Sequence, residues 1–548
     1  MKRILAACLL VTSFLAPVNE ALAATDLTPY TNQSIEWKDC PSEYLEAASD
    51  QSSVFKDSII TCGTLLVPAL YGKDSTLPGF GIAMMKMSPK GGATKGSLFI
   101  NPGGPGESGI SELQWAPFPS EIANAYDIIG FDPRGVGFSK PINGKQITCS
   151  TKLDFESYWK YYTYPKNARQ AKYNQAQSNK YYTDCAKSNP TWWTIATSSV
   201  VRDLEMMRSV LTPSSPLNFL GSSYGTTIAA EYITRFPSQI GHIILDSPTT
   251  NVPESDASQI AGRKAREANI MRLVRNYAKA KGKSVKSIQA KMLQVKIWSE
   301  KGQLTGFAGI KVVNKSRDLR QSNSYLFLHG LLAMTYYDNS FIQRYFNIAL
   351  DNLFSRFHYN GNFEWFSFNL DGYDTSTLGG KTYDPNTIKR NNSYEILDIV
   401  SSLDLNAPDT RTPKQNRALD KKLEKASPFY TKLLASPYKY KWPGDGKYLD
   451  WTKLALKDPA IPNPPKKKPA RTNTSGKGVL VVGSRYESTT PYSFAVTTAK
   501  ELKSPLVTLN GTVHAPVAGF NYTCLNTIAI NYLVNDVLPE NGTQCSTK

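Results

Sequence analysis

The sequence predicts an α/β fold: a mostly parallel sheet with helices on both faces, interrupted by a large, mostly helical insert. Between residues 97 and 246, short apolar runs alternate with segments of helical spacing, the pattern of strands joined by right-handed crossover helices. That rhythm stops near residue 250 and resumes at 479, so one sheet is split by an insertion. Hydrophobic residues make up 41% of the chain and charged residues 20%, ordinary globular values that exclude wholesale disorder.

The elements follow in order. Residues 1–23 read as a secretory signal, with Lys2 and Arg3, an apolar run from Ile4 to Leu15, and an Ala21-Leu22-Ala23 cleavage site. Residues 24–95 carry irregular strand signals. SLFINP (97–102) and YDIIGFD (126–132) read as buried strands, and 200–211 has helical spacing. A strand at 216–222 leads into a helix at 224–236 that Pro237 stops, and 241–246 is another strand. The first part of the sheet domain thus spans 24–250 and a lid spans 251–457. The stretch 458–478 is a Pro/Lys-rich linker. The sheet domain resumes over 479–548, with strands at 479–483 and 505–511 and helices near 493–502 and 522–537. Beyond the N-terminus no run of about 20 apolar residues occurs, so no membrane-spanning helical body is expected.

Six cysteines follow the signal, an even number that suggests disulfides in an exported chain. Neighbour pairing is expected: Cys40 with Cys62, Cys149 with Cys185, and Cys524 with Cys545. No Cys-x-x-Cys pair or His/Cys cluster points to zinc. Net charge is +18, and from Arg263 to Arg320 there are 16 Lys/Arg against 3 Asp/Glu. This basic part of the lid is either a solvated face or a peripheral contact for an anionic envelope surface. No nucleic-acid motif accompanies it.

The strongest chemical signal is Gly221-Ser222-Ser223-Tyr224-Gly225, a G-x-S-x-G between a predicted strand and a predicted helix. A sharp turn there puts Ser223 in a strained conformation, and the flanking glycines remove clashing Cβ atoms. Serine needs a base. Of His242, His329, His358 and His514, only His514 follows the last predicted strand, and the chain order Ser, acid, His selects it. In the loop after 479–483, Glu487 is the one carboxylate and is favoured as the acid over Asp246. Oxyanion donors are expected from the amides of Tyr224 and Gly104, with Gly103 next, because prolines in Pro102-Gly103-Gly104-Pro105-Gly106 have no N–H.

These blocks are together similar to a known family. NPGGPGESG (101–109), FDPRGVGFS (131–139), RDLEMMRSVL (202–211), GSSYGTTIAAEYITRFP (221–237) and ILDSP (244–248) resemble the secreted tripeptidyl aminopeptidases, α/β-hydrolases related to prolyl aminopeptidases. ESTTPYSFA (487–495), GTVHAPV (511–517) and LPENGTQC (538–545) resemble that family's C-terminal domain. The resemblance implies an α/β-hydrolase fold with a lid, and a secreted serine exopeptidase that releases short peptides such as tripeptides from free N-termini. It implies no cofactor, and it places Ser223, His514 and Glu487 at nucleophile, base and acid. The sequence departs from the family's usual pattern at Glu487 (usually Asp), at the Val-His-Ala around His514 (usually Gly-His-Gly) and at Glu107 (usually small). A carboxylate at 107 is placed to meet a substrate ammonium, with Glu364, Asp371 and Glu395 of the lid as other candidates. A carboxylesterase or lipase using the same triad is the alternative reading, and a catalytically inactive hydrolase-fold binding protein is the second.

Overall fold

The computed structural model describes residues 27–46, 51–72, 75–149, 165–249, 255–300, 305–306, 320–321, 324–335, 339–354, 392–405, 411–436, 438 and 478–547. The signal, the lid candidates Glu364 and Asp371, and all of the linker but Gly478 lie outside these residues.

Ten strands form one sheet. β1 (Ile59–Val67) and β2 (Phe80–Ser88) pair antiparallel, and β2 pairs antiparallel with β4 (Asp127–Phe131) and with the short β5 (Lys140–Pro141). From β4 onward the neighbours are parallel: β3 (Ser97–Asn101), β6 (Leu217–Ser222), β7 (Ile240–Asp246), β10 (Val479–Ser484), β11 (Leu506–Leu509) and β12 (Gln544–Cys545). β8 (Thr305–Gly306) and β9 (Arg320–Gln321) pair separately. The mostly parallel sheet of an α/β-hydrolase is therefore present, and β10 is inserted beside β7 although the lid separates them in sequence.

Alternation within the apolar runs explains why both faces are covered. Phe99, Ile129, Phe219, Ile243, Leu245, Val479 and Val481 pack on one face against α4 (Thr197–Leu211), α5 (Gly225–Arg235) and α13 (Tyr492–Leu502). Leu98, Ile100, Ile128, Leu220, Ile244, Leu480 and Val482 face the other side, where α1 (Gly109–Trp115), α2 (Ser120–Ala125) and α14 (Thr523–Leu533) lie. Side chains two apart share a face, so the apolar residues of both alternating sets are core.

The lead-in is more regular than its sequence suggests. β1 and β2 run nine residues each in full register. The first alternates between half-wet and dry positions, as an outer strand does, and the second is nearly continuously buried. Gly63 and Gly81 weaken the strand signal in sequence.

Between β7 and β10 the described lid is helical: α6 (Asp256–Ala280), α7 (Val285–Glu300), α8 (Ser324–Ala333), α9 (Asn339–Phe354), α10 (Ser393–Leu405), α11 (Pro413–Ala426) and α12 (Pro428–Leu434). It has its own apolar core around Ile270, Leu273, Val274, Met292, Phe346 and Leu433. A further long helix, α3 (Ala168–Ser188), lies between β5 and α4 in sequence, and two one-turn helices, Thr28–Thr31 and Ser53–Lys56, precede β1. The neighbour-paired disulfides are all formed: Cys40–Cys62, Cys149–Cys185 and Cys524–Cys545. Among the described residues no helix is long and apolar enough to cross a membrane.

Candidate active site

Ser223 stands between the end of β6 and the start of α5 with φ 53°, in the left-handed region. A non-glycine residue there costs roughly 1–3 kcal/mol and is typical of functional turns. The surroundings explain the glycines. A Cβ on Gly221 would lie 2.6 Å from the carbonyl oxygen of Gly225, and one on Gly225 would lie 2.5 Å from that of Asn101. The Ser223 N–H donates to the carbonyl of Asp246 at 2.9 Å, which fixes the elbow to the end of the neighbouring strand. Ser222 is buried as the last residue of β6.

The glycine loop lies against this elbow. A Cβ on Gly103 would fall 2.6 Å from the Ser222 carbonyl and 2.9 Å from the Tyr224 nitrogen. The Gly103 N–H is already used, donating to Asn101 Oδ1 at 3.1 Å. Among the described residues the Tyr224 and Gly104 amides have no acceptor, so of the two glycines Gly104 has the available donor. Asp132, at the end of β4, holds the far side of the loop. Its Oδ1 accepts from Ser108 Oγ at 2.5 Å and from the Ile110 amide at 3.3 Å. Burial raises its carboxyl to about 6, with those bonds opposing.

His514 and Glu487 meet on the same edge of the sheet. His514 Nδ1 is hydrogen-bonded to Glu487 Oε1, which also accepts from the Thr490 amide at 2.9 Å and the Thr490 hydroxyl at 2.6 Å. Glu487 is 2% exposed. Burial pushes the His514 imidazole down, but the charge and hydrogen bond of Glu487, aided by Asp246, hold it above its ordinary value.

Asp246 is not the partner of His514. Its Oδ2 accepts the amides of Val517 and Ala518 at 2.8 and 3.0 Å, and burial raises the carboxyl to about 7. The next residue, Ser247, accepts the Ala515 amide on its Oγ at 3.0 Å. Ser247 and Ala515 both have positive φ, 56° and 51°. These two residues thus join the Ser223 turn, through the Asp246 carbonyl, to the loop that carries His514. The sequence offered Asp246 only as a rival acid; a side chain accepting distant backbone amides leaves no local signature.

Glu107, at the end of the glycine loop, is exposed, and among the described residues its carboxylate has no cation or hydrogen-bond donor. Glu112, one helical turn on, is buried with no bond to its carboxyl. Burial, then the charges of Glu107 and Asp246, raise it to about 8. Glu395 is buried on the lid helix α10. A Cβ on Gly106 would meet the Ser393 carbonyl at 2.4 Å, so the start of α10 sits directly on the glycine loop.

The other histidines fall elsewhere. His242 lies near the opposite end of β7, bonded to Asp536 at 2.9 Å and packed on Tyr532. His358 lies outside the described residues, and only the helical backbone of His329 is described. Among the described residues no cluster of His, Cys, Asp or Glu could hold a metal.

The chain is similar to known proteins. Residues 96–281 match the family described as alpha/beta hydrolase fold, and residues 450–545 match the family described as TAP-like protein. Serine protease Hip1 of Mycobacterium tuberculosis (strain ATCC 25618 / H37Rv) is 29% identical over 243 residues, 43% of this chain and 44% of that protein. The tripeptidyl aminopeptidase of Streptomyces lividans is 30% identical over 226 residues, 39% of this chain and 38% of that one. Carboxylesterase B of Mycobacterium tuberculosis (strain CDC 1551 / Oshkosh) is 24% identical over 501 residues, 88% of this chain and 86% of that one. The chain thus spans less than half the length of the first two relatives.

Proposed function

We propose that this chain, which matches the alpha/beta hydrolase fold and TAP-like families in that order along its sequence, is an exported serine exopeptidase releasing short peptides from free N-termini. The observation that carries this reading is the bridge from the strained Ser223 turn, through Asp246 and Ser247, to the loop holding His514 against Glu487.

In this mechanism Ser223 Oγ attacks the scissile carbonyl while His514 takes its proton. Glu487 fixes the imidazole tautomer and stabilises the imidazolium. The Tyr224 and Gly104 amides receive the oxyanion. His514 then protonates the leaving amine, and water activated by the same imidazole clears the acyl-enzyme. Glu107, unpaired beside the oxyanion loop, receives the substrate's ammonium, since an ammonium taken out of water needs a counter-charge.

A carboxylesterase is the second reading, favoured by the relative of that name, which aligns over most of both chains. The deciding experiment is a panel of di- and tripeptide anilides, with and without N-acylation, beside short acyl esters. A peptidase of this kind cleaves the free-amine peptides and loses that activity on acylation. Equal turnover of esters with no amine requirement would overturn the exopeptidase reading. Ser223→Ala should abolish turnover of every substrate.

A further inference from the structure

Two buried hydrogen bonds run from the lid to the loop that carries Glu487, one on each side of it. On α6, Asn269 Nδ2 donates to the carbonyl of Tyr486 at 2.5 Å. Just past α8, Thr335 Oγ1 lies 2.7 Å from Ser488 Oγ. Thr335 spends its own proton on the Leu332 carbonyl at 2.6 Å, so Ser488 is the donor. Asn269 and Thr335 are 3% and 1% exposed. From the sheet side the same loop is tied at residues 485 and 486: the Arg485 amide donates to the Leu509 carbonyl and the Tyr486 amide to that of Gly511, both at 2.9 Å, and Arg485 Nε donates to Asn510 Oδ1 at 2.7 Å. Those bonds precede Glu487. The grip that spans residue 487, from 486 to 488, comes from the lid.

We infer that Asn269 and Thr335 are positioning residues for the acid, so that the lid does more than cover the cleft and sets the Glu487–His514 contact. Asn269 supports this against the plainer idea of lid docking. Among the described residues its Oδ1 is buried without a partner, which costs stability that an apolar residue at this core position would not. What the amide supplies in return is the donor to the acid loop. The inference rests on the Ser223–His514–Glu487 reading above.

The test is the rate at which a fluorophosphonate labels Ser223 as a function of pH, which needs no knowledge of the natural substrate. Labelling requires neutral His514. The charged groups acting on that ring are Glu487 and Asp246, both holding its proton more tightly. In Thr335→Val and Asn269→Ala the acid is no longer held. Labelling at the high-pH plateau should fall about tenfold or more, and the midpoint should move to lower pH as His514 loses its carboxylate contact. Ser488→Ala, which breaks the same bond from the sheet side, should behave as Thr335→Val does, and Thr335→Ser should restore the wild-type curve.

Tyr277→Phe removes a bond inside the lid, to Asp351, and should leave the midpoint in place. Wild-type rates and midpoint in both clamp variants would overturn the inference. Slower labelling with an unmoved midpoint, the result of loosened packing alone, would overturn it too. Failure of the wild-type protein to label at all would instead remove the serine-hydrolase reading and the inference with it.

Discussion

Glu487 is one methylene longer than the aspartate usual at its place, and the loop geometry accommodates the extra length. Its Oε1 faces His514 while Thr490 donates twice to the same oxygen. Removing only the charge, as in Glu487→Gln, keeps the shape but no longer favours the productive imidazole tautomer. Turnover should fall by about a thousandfold. The sign of the pH effect follows from the raised His514. The Glu487 charge stabilises the imidazolium, so its loss lowers the imidazole pKa, and the acidic limb of kcat/KM should move to lower pH. A pH profile of Glu487→Gln on the best peptide substrate checks both. Ser223 and His514 were legible in sequence because a strained turn needs glycines around it and because chain order selects one histidine of four. The Asp246–Ser247 bridge was not, since a carboxylate bonded to amides 271 and 272 positions away looks in sequence like any carboxylate at a strand end.

At the scale of elements, the carboxyl ends of β4 and β7 and the first turns of α1 gather three buried carboxyls. Asp132 is raised to about 6, Asp246 to about 7 and Glu112 to about 8, each chiefly by burial. A carboxyl raised by folding binds its proton more tightly in the native state. Its contribution is complete below the unfolded pKa near 4 and is lost as pH climbs through the native value. Thermal stability should therefore be higher near pH 5 than near pH 8 if these groups dominate the balance, and Glu112→Gln should flatten the decline above pH 6 most of all. Melting curves across that range measure it; an unchanged slope in Glu112→Gln would show that its burial does not govern the pH dependence. The parallel strands that bring these groups together were readable as short apolar runs, because both faces are dry. β1 and β2 were not, because one is half-wet and both carry glycine. The lid helices showed their period, but their docking on the acid loop depends on single polar contacts that no period encodes.

Over the whole molecule the charge is lopsided, and the lid shows where. On the hairpin of α6 and α7, Arg275, Lys279, Lys283 and Lys286 are exposed and, among the described residues, have no carboxylate partner. Lys281 beside them is paired with Asp351 at 2.6 Å. Arg275 and Lys279 lie four apart on α6, so they share one side of its last turns. We propose that this cluster makes the peripheral contact with an anionic surface. Each cation near such a surface contributes about 1 kcal/mol at low salt, and the attraction fades as the Debye length shrinks from about 30 Å at 0.01 M to about 8 Å at 0.15 M. The protein should therefore sediment with vesicles containing phosphatidylglycerol at the lower ionic strength, much less at the higher, and not with neutral phosphatidylcholine vesicles. Reversing the four charges to Glu should abolish sedimentation without changing turnover of soluble peptides, because none of the four belongs to the site on the sheet's edge. Binding that survives the reversal would place the membrane contact elsewhere on the surface, and binding that ignores salt would remove electrostatics as its cause.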